Sequence, residues 1–195
     1  EGVAREGQEI VSSGPCRIVV LNPPADEHLN VPFHDSYAGG HVLNNRSVVT
    51  HLTCGSHTML FAADVERDGL SRMTGSTSHG PIEVLKAPHH GAVSSLNRDW
   101  LASLRPQYAV FSAGRHNPYR HPAAAVLDAY VAEGSTVLRT DRDGGIWFTG
   151  GVSEAALHVH RARELVWQPT NRASCLWACE QANWARIWKQ WHDRH

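Results

Sequence analysis

Short β-branched runs bounded by Gly, Pro, Asn and Asp fill the first third of the chain. Further on, apolar strand-like runs alternate with helical periodicity. Glu9-Ile10-Val11 and Arg17-Ile18-Val19-Val20-Leu21 are closed by Gly14-Pro15 and Asn22-Pro23-Pro24, the punctuation that ends strands. Residues 23–45 are polar and rich in Gly, Pro, Asn and Asp, which predicts a long loop of the kind that often carries function. Ser47-Val48-Val49-Thr50-His51-Leu52 and Thr58-Met59-Leu60-Phe61-Ala62 flank Thr53-Cys54-Gly55-Ser56-His57, a hairpin signature with Gly in the turn.

Residues 65–74 predict a short helix with Asp64 as its N-cap. Ile82-Glu83-Val84-Leu85-Lys86 reads as a strand, residues 97–104 as a helix stopped by Arg105-Pro106, and Tyr108-Ala109-Val110-Phe111-Ser112 as a buried strand. His121-Pro122 opens a helix over 123–133 with Pro in its first turn. Strands at 136–139, 145–149 and 156–160 close the series, the middle one entered through an Asp143-Gly144 turn. Hairpins first and strand–helix alternation afterwards predict a layered α/β domain over residues 1–165. Residues 166–195 form a separate tail in which Trp177, Trp184, Trp188 and Trp191 share one face of a predicted amphipathic helix, with Arg186, Lys189 and Arg194 beside them.

With 195 residues and 42% hydrophobic positions, one domain with a real core is affordable. A net charge of −1 leaves no bulk basic footprint for nucleic acid, although a local basic groove is compatible with it. Most of the fourteen histidines are expected on the surface. Four cysteines are too few for a disulfide scaffold, with Cys16 and Cys54 far apart and Cys175 and Cys179 one helical turn apart. Without two C-x-x-C-like pairs no structural zinc is expected. No apolar run approaches the ~20 residues needed to cross a bilayer. There is no signal-peptide pattern and no initiator Met, so the chain is expected to be an internal or C-terminal piece of something longer.

Chemistry concentrates at two strand ends. Phe61-Ala62-Ala63-Asp64 and Lys86-Ala87-Pro88-His89-His90-Gly91 place a carboxylate and a tandem histidine just past apolar runs, as a metal-assisted hydrolase does at the rim of a sheet. Neighbouring histidines on an extended segment project to opposite sides, so one is expected as ligand and the other beside substrate or ligand. His90, next to Gly91, is the expected ligand, and His89 the orienting or proton-transfer group. No His-x-His-x-Asp-His run completes the set.

In order along the chain stand Asn44-Asn45-Arg46-Ser47-Val48-Val49, Leu60-Phe61-Ala62-Ala63-Asp64, Val84-Leu85-Lys86-Ala87-Pro88-His89-His90-Gly91, Asn117-Pro118-Tyr119-Arg120-His121-Pro122 and Arg139-Thr140-Asp141-Arg142-Asp143-Gly144. This succession, over about residues 1 to 160, resembles the C-terminal metallo-β-lactamase-like domain of ComEC-type DNA-uptake proteins. The resemblance implies an αββα sandwich, here its second half, with a mixed sheet. It implies Asp64 as a bridging metal ligand and His90 as a second ligand, with zinc or manganese as the metal and two ions in the complete domain. The His-x-His-x-Asp-His half is then missing from this chain. It implies that Asn117, Tyr119 and His121 line the substrate side, with His121 able to protonate a leaving group, and that Thr140 and Asp141 support the site. Asn44 stands where related hydrolases often carry a further His and is expected to hold water or substrate, with His41 and His51 as the nearest alternative ligands. The family often has Gly-Asp where this chain has Ala63-Asp64, and Ser where it has Ala92.

The implied activity is metal-dependent hydrolysis of the DNA strand that is not imported. Its partners are single-stranded DNA and the competence machinery, and the parent sits in a bacterial inner membrane with this domain on the extracytoplasmic side. The rivals are another hydrolase of the same fold, acting on a small phosphodiester, choline-phosphate or lactone, and a degenerate domain that only binds DNA or a partner.

Overall fold

The computed structural model describes residues 4–25, 40–76 and 81–162. These belong to the first of two units, Glu1–Ala162; the second, Arg163–His195, lies outside the described residues, and with it the expected Trp-rich helix.

Strands β1 (Glu9–Ser13), β2 (Cys16–Asn22), β3 (Val49–Cys54) and β4 (His57–Phe61) form an antiparallel meander. Helix α1 (Gly40–Asn44) precedes β3 and takes up the end of the expected long loop. From β4 the sheet continues in parallel through β5 (Val84–Lys86), β6 (Tyr108–Phe111) and β7 (Thr136–Arg139), in unbroken sequence order over seven strands. The crossovers carry α2 (Arg67–Ser76), α3 (Arg98–Leu104) and α4 (Ala124–Ala132). Three crossovers of the usual right hand, stepping in one direction, put their helices on one face of the sheet. A single-turn helix α5 (Thr140–Asp143) leads to the hairpin of β8 (Ile146–Thr149) and β9 (His158–Arg161). The architecture is therefore α/β with a mixed seven-stranded sheet.

The core fills the space between sheet and helices. Trp100, Leu101 and Leu104 of α3 and Leu70 and Met73 of α2 pack with Val49, Leu60, Leu85 and Phe111, and Phe111 meets Tyr130 of α4 edge-on, ring centroids 5.1 Å apart. Among the described residues no helix is long and apolar enough to cross a membrane.

Two local expectations are corrected, and one covalent link is added. Helix α2 begins at Arg67 rather than 65, and Asp64 is not its cap. Asn45 Oδ1 instead accepts from the amides of Glu66 (3.1 Å) and Gly69 (2.9 Å), so the cap comes from 21 residues upstream. Helix α4 starts at Ala124, and Pro122 lies outside it behind a cis His121–Pro122 peptide. Cys16 and Cys54, remote in sequence, are opposed across the antiparallel β2–β3 register and form a disulfide.

Hairpin β8–β9 is tied to the sheet through a buried pair. His57 Nδ1 lies 2.7 Å from a Glu83 carboxylate oxygen and its Nε2 lies 3.1 Å from the Gly151 carbonyl. Glu83 also accepts the Leu157 amide (3.2 Å), and Ser56 Oγ donates to Glu154 O (2.9 Å). Both partners of the ring are acceptors, so both ring nitrogens must donate, and only the imidazolium does that. The hydrogen bond to Glu83 is the main cause that raises the His57 pKa above 6.5; burial opposes it, and the Gly151 bond and the charges of Glu83 and Glu154 add to it.

A raised folded-state value means the contribution is complete below the unfolded pKa near 6.5 and is lost as pH rises through the higher folded value. Amide exchange over residues 150–157, corrected for the intrinsic rate, is expected to accelerate as pH rises above about 6.5 in the wild type. His57→Gln should abolish that dependence. Equal protection across the range in the wild type would contradict the assignment.

Candidate functional site

Parallel pairing sends the carboxyl ends of β4, β5, β6 and β7 to one edge of the sheet. The residues that follow them are Asp64, then His89 and His90, then the loop 112–121, then Thr140 and Asp141. Residues separated by some 75 positions thus converge at the edge where open α/β sheets place their ligands.

Six described residues other than Gly have positive φ, and five of them, Ala63, His89, His90, His116 and Arg120, lie in these edge loops. A left-handed non-glycine residue costs roughly 1–2 kcal/mol, so such a cluster marks a place where the surrounding structure over-determines the backbone. Ala63, at φ 47°, shows why Gly suits this position. Lys86 Nζ clamps the turn by donating to Ala63 O (3.0 Å) and stands 4.0 Å from Asp64 Oδ1. Burial lowers the Lys86 pKa, and the Asp64 charge opposes that fall.

The tandem histidines are not extended, as the sequence reading assumed. At φ 42° and 55° they form a left-handed turn. The turn is held by His89 N donating to Ala63 O (2.9 Å), Ala92 N donating to His89 O (2.9 Å) and Ser95 Oγ donating to Pro88 O (3.1 Å). The two rings still take different partners. His90 Nδ1 donates to Ser112 O at 2.6 Å, which fixes the proton on Nδ1 and leaves the Nε2 lone pair free. That Nε2 lies 3.5 Å from Asp64 Oδ1, and both side chains are about half exposed. His89 Nδ1 lies 3.0 Å from Glu66 Oε1, and the His89 ring stands 6.0 Å, edge-on, from His121.

Glu66 was not singled out from the sequence, where it reads as one more polar residue of a helix. It is a buried carboxylate on which His41 Nδ1 and Asn44 Nδ2 (3.0 Å) converge as donors, with His89 Nδ1 also 3.0 Å away. Burial pushes its carboxyl up, but hydrogen bonds from His41 and Asn44, the His41 charge and a bond from Ser94 outweigh it and hold the group below its ordinary value. The Asn44 amide nitrogen thus donates one hydrogen bond to Glu66. His41 supports the same carboxylate, and His51 is buried in the middle of β3, opposite Val19 and Leu60, away from the edge. The spacing of Glu66 two residues after Asp64 was the available signal.

Loop 112–121 is internally tied. Asn117 Nδ2 donates to Gly114 O (2.9 Å) and His121 O (2.8 Å), and its Oδ1 accepts the His121 amide (2.9 Å). These bonds close the loop, and Asn117 also lines the cleft beside it. Tyr119 is 76% exposed and its ring stacks on His121, centroids 5.8 Å apart and planes at 17°. His121 Nδ1 is buried and finds no hydrogen-bond partner among the described residues. Burial, then the nearby His89 and His90, lower the His121 pKa. A cleft of about 470 Å³ runs from His90 past Ser112 and Asn117 to Tyr119 and His121.

Thr140 Oγ1 donates to Ala113 O (2.8 Å) and accepts its amide (2.9 Å), pinning the start of this loop. Asp141 is held by Arg139 through two hydrogen bonds of 3.0 and 2.6 Å, the first cause of its lowered pKa, and its carbonyl accepts from Arg115 Nε (3.3 Å). His158 and His160 lie on β9; the latter stacks on Trp147.

Asp64 and His90 offer a carboxylate oxygen and a free imidazole lone pair, donors that suit zinc or manganese. Among the described residues no group of three or more His, Cys, Asp or Glu is placed to hold a metal ion. The donor chemistry fits; the donor number is short of the three protein ligands of an open catalytic site.

No protein-family model matches the chain. It is 32% identical over 105 residues to ComE operon protein 3 of Bacillus subtilis (strain 168), covering 54% of this chain and 14% of that protein. It is 33% identical over 122 residues to Competence protein ComA of Neisseria gonorrhoeae, covering 60% and 18%. It is 29% identical over 103 residues to Recombination protein 2 of Haemophilus influenzae, covering 53% and 13%. The matched region thus spans less than a fifth of each of these relatives. Together they support a relationship to competence proteins of the ComEC type.

Proposed function

We propose that the chain is the second half of a metallo-β-lactamase-like domain in a ComEC-type DNA-uptake protein, and that this domain hydrolyses the strand that is not imported. The helix-on-sheet layering supports one half of an αββα sandwich. The observation that carries the reading is the Asp64 Oδ1–His90 Nε2 approach of 3.5 Å, with the ring's tautomer set by the Ser112 carbonyl. Such a pair, at the carboxyl edge of a parallel sheet, is half of a hydrolytic metal site waiting for donors from outside the described residues.

A divalent ion, zinc or manganese, would be held by Asp64 and His90 and would neutralise charge on a phosphodiester. This chain's own residues supply the rest. Glu66 stands 3.0 Å from His89 Nδ1 and places a negative charge beside that ring, which can take part in proton transfer. His121 offers an unpartnered nitrogen beside it. The cleft beside His90 gives a substrate access from the Tyr119 side. The parent is placed in the inner membrane, with this domain facing outward.

Calorimetric titration of the chain with zinc and with manganese tests the half-site. Two protein ligands should give dissociation constants weaker than about 1 μM. Micromolar or tighter binding would overturn the half-site reading.

A further inference from the structure

We infer that the loop after β6 is a platform for an unpaired strand of nucleic acid: Tyr119 takes a base on its ring, and Arg115 and Arg120 take the flanking phosphates. The inference rests on the reading above and names the form in which the substrate is presented.

Three observations meet there. Tyr119 is 76% exposed although large apolar rings are usually covered, and His121 backs its ring at 5.8 Å with planes 17° apart. That backing holds the ring in one orientation, as a stacking surface requires. Arg115 and Arg120 are exposed, and neither guanidinium pairs with a described carboxylate. The two cations lie within four residues of Tyr119 on the same loop, in a chain whose net charge is −1, so the basic character there is not a by-product of a basic composition.

The loop is also built to hold its shape. Asn117 closes it with three hydrogen bonds, Thr140 pins its first residues, and His116 and Arg120 adopt left-handed backbone at φ 61° and 56°. Strain of that kind persists where the surroundings enforce it. The same cleft reaches His90, so a strand stacked on Tyr119 passes the Asp64–His90 pair. In a duplex the bases are stacked on one another and hydrogen-bonded, so the Tyr119 ring selects an unpaired base; phosphate contacts alone would make no such choice.

Fluorescence anisotropy with the 195-residue chain and a labelled oligothymidine of about 12 nucleotides tests this. Tyr119→Ala should weaken binding about tenfold, while Tyr119→Phe, which keeps the ring, should bind within about twofold of wild type. Arg120→Ala should reduce the salt slope by about 0.7. A blunt duplex should bind about tenfold more weakly than the single strand. Binding is measured with EDTA present, so that a failure of the platform is read separately from a failure of the hydrolytic site. Equal affinity of Tyr119→Ala and wild type, equal affinity for duplex and single strand, or no binding at about 1 mM would overturn the inference.

Discussion

Gly91→Ala is expected to lower the thermal midpoint of the chain by about 10 °C. Gly91 sits at φ +86°, where a side chain is strained whatever the space. Here there is no space either. A Cβ would stand 2.5 Å from Pro122 Cβ and 2.8 Å from Phe111 Cδ1. Phe111 is fully buried, and Pro122 lies on a segment that Ala123 N fastens to Gly91 O at 3.0 Å, so neither neighbour can yield cheaply. The left-handed backbone and the overpacking each cost on the order of 1–3 kcal/mol, a sum near 3 kcal/mol against a total stability of roughly 5–15. Because His90 precedes Gly91 and His121 precedes Pro122, the site would be displaced with the clash. A midpoint within about 2 °C of wild type would show that the turn is more pliable than this packing allows.

The fold was legible where local chemistry decides it. Runs such as Arg17–Leu21 and Tyr108–Ser112, closed by Pro, Gly or a charged stop, became strands, and the order of hairpins before crossovers fixed an α/β arrangement. The placement of Asp64 and His90 just past strand ends was legible from the apolar runs before them, and parallel pairing brings those ends to one edge. What stayed hidden depends on register and on distant partners. The Cys16–Cys54 bond follows from antiparallel alignment, not from sequence separation. The cap of α2 is supplied by Asn45, which no local window around residue 65 contains. Glu66 looks like a solvated helix residue until His41, Asn44 and His89 are folded onto it. The loop-closing bonds of Asn117 depend on the fold of residues 114–121 and were not legible in its sequence position. The assumption that the two histidines are extended failed because the turn to Gly91 requires left-handed backbone.

The second large effect concerns catalysis in the complete parent protein. Asp64→Asn keeps the size of the side chain and one oxygen but removes the charge, and amide oxygen is a poor partner for a transition-metal ion beside imidazole. His90→Ala removes the only ring nitrogen whose free lone pair is aimed at Asp64 among the described residues. If both are ligands, either change removes one of the few groups that hold the metal, and losses of hydrolysis of about a hundredfold or more are expected. Because both side chains are half exposed, the folded structure should tolerate either change, and the midpoint of unfolding should move by less than a few degrees.

The most direct test is degradation of a labelled single strand by the parent protein with zinc or manganese supplied, wild type beside Asp64→Asn and His90→Ala. The account predicts metal-dependent cleavage in the wild type and a fall of about a hundredfold or more in each variant, with folding intact. Cleavage at the wild-type rate in both variants, or no metal-dependent cleavage by the wild type, would contradict it and leave a domain that binds DNA or a partner without hydrolysing it.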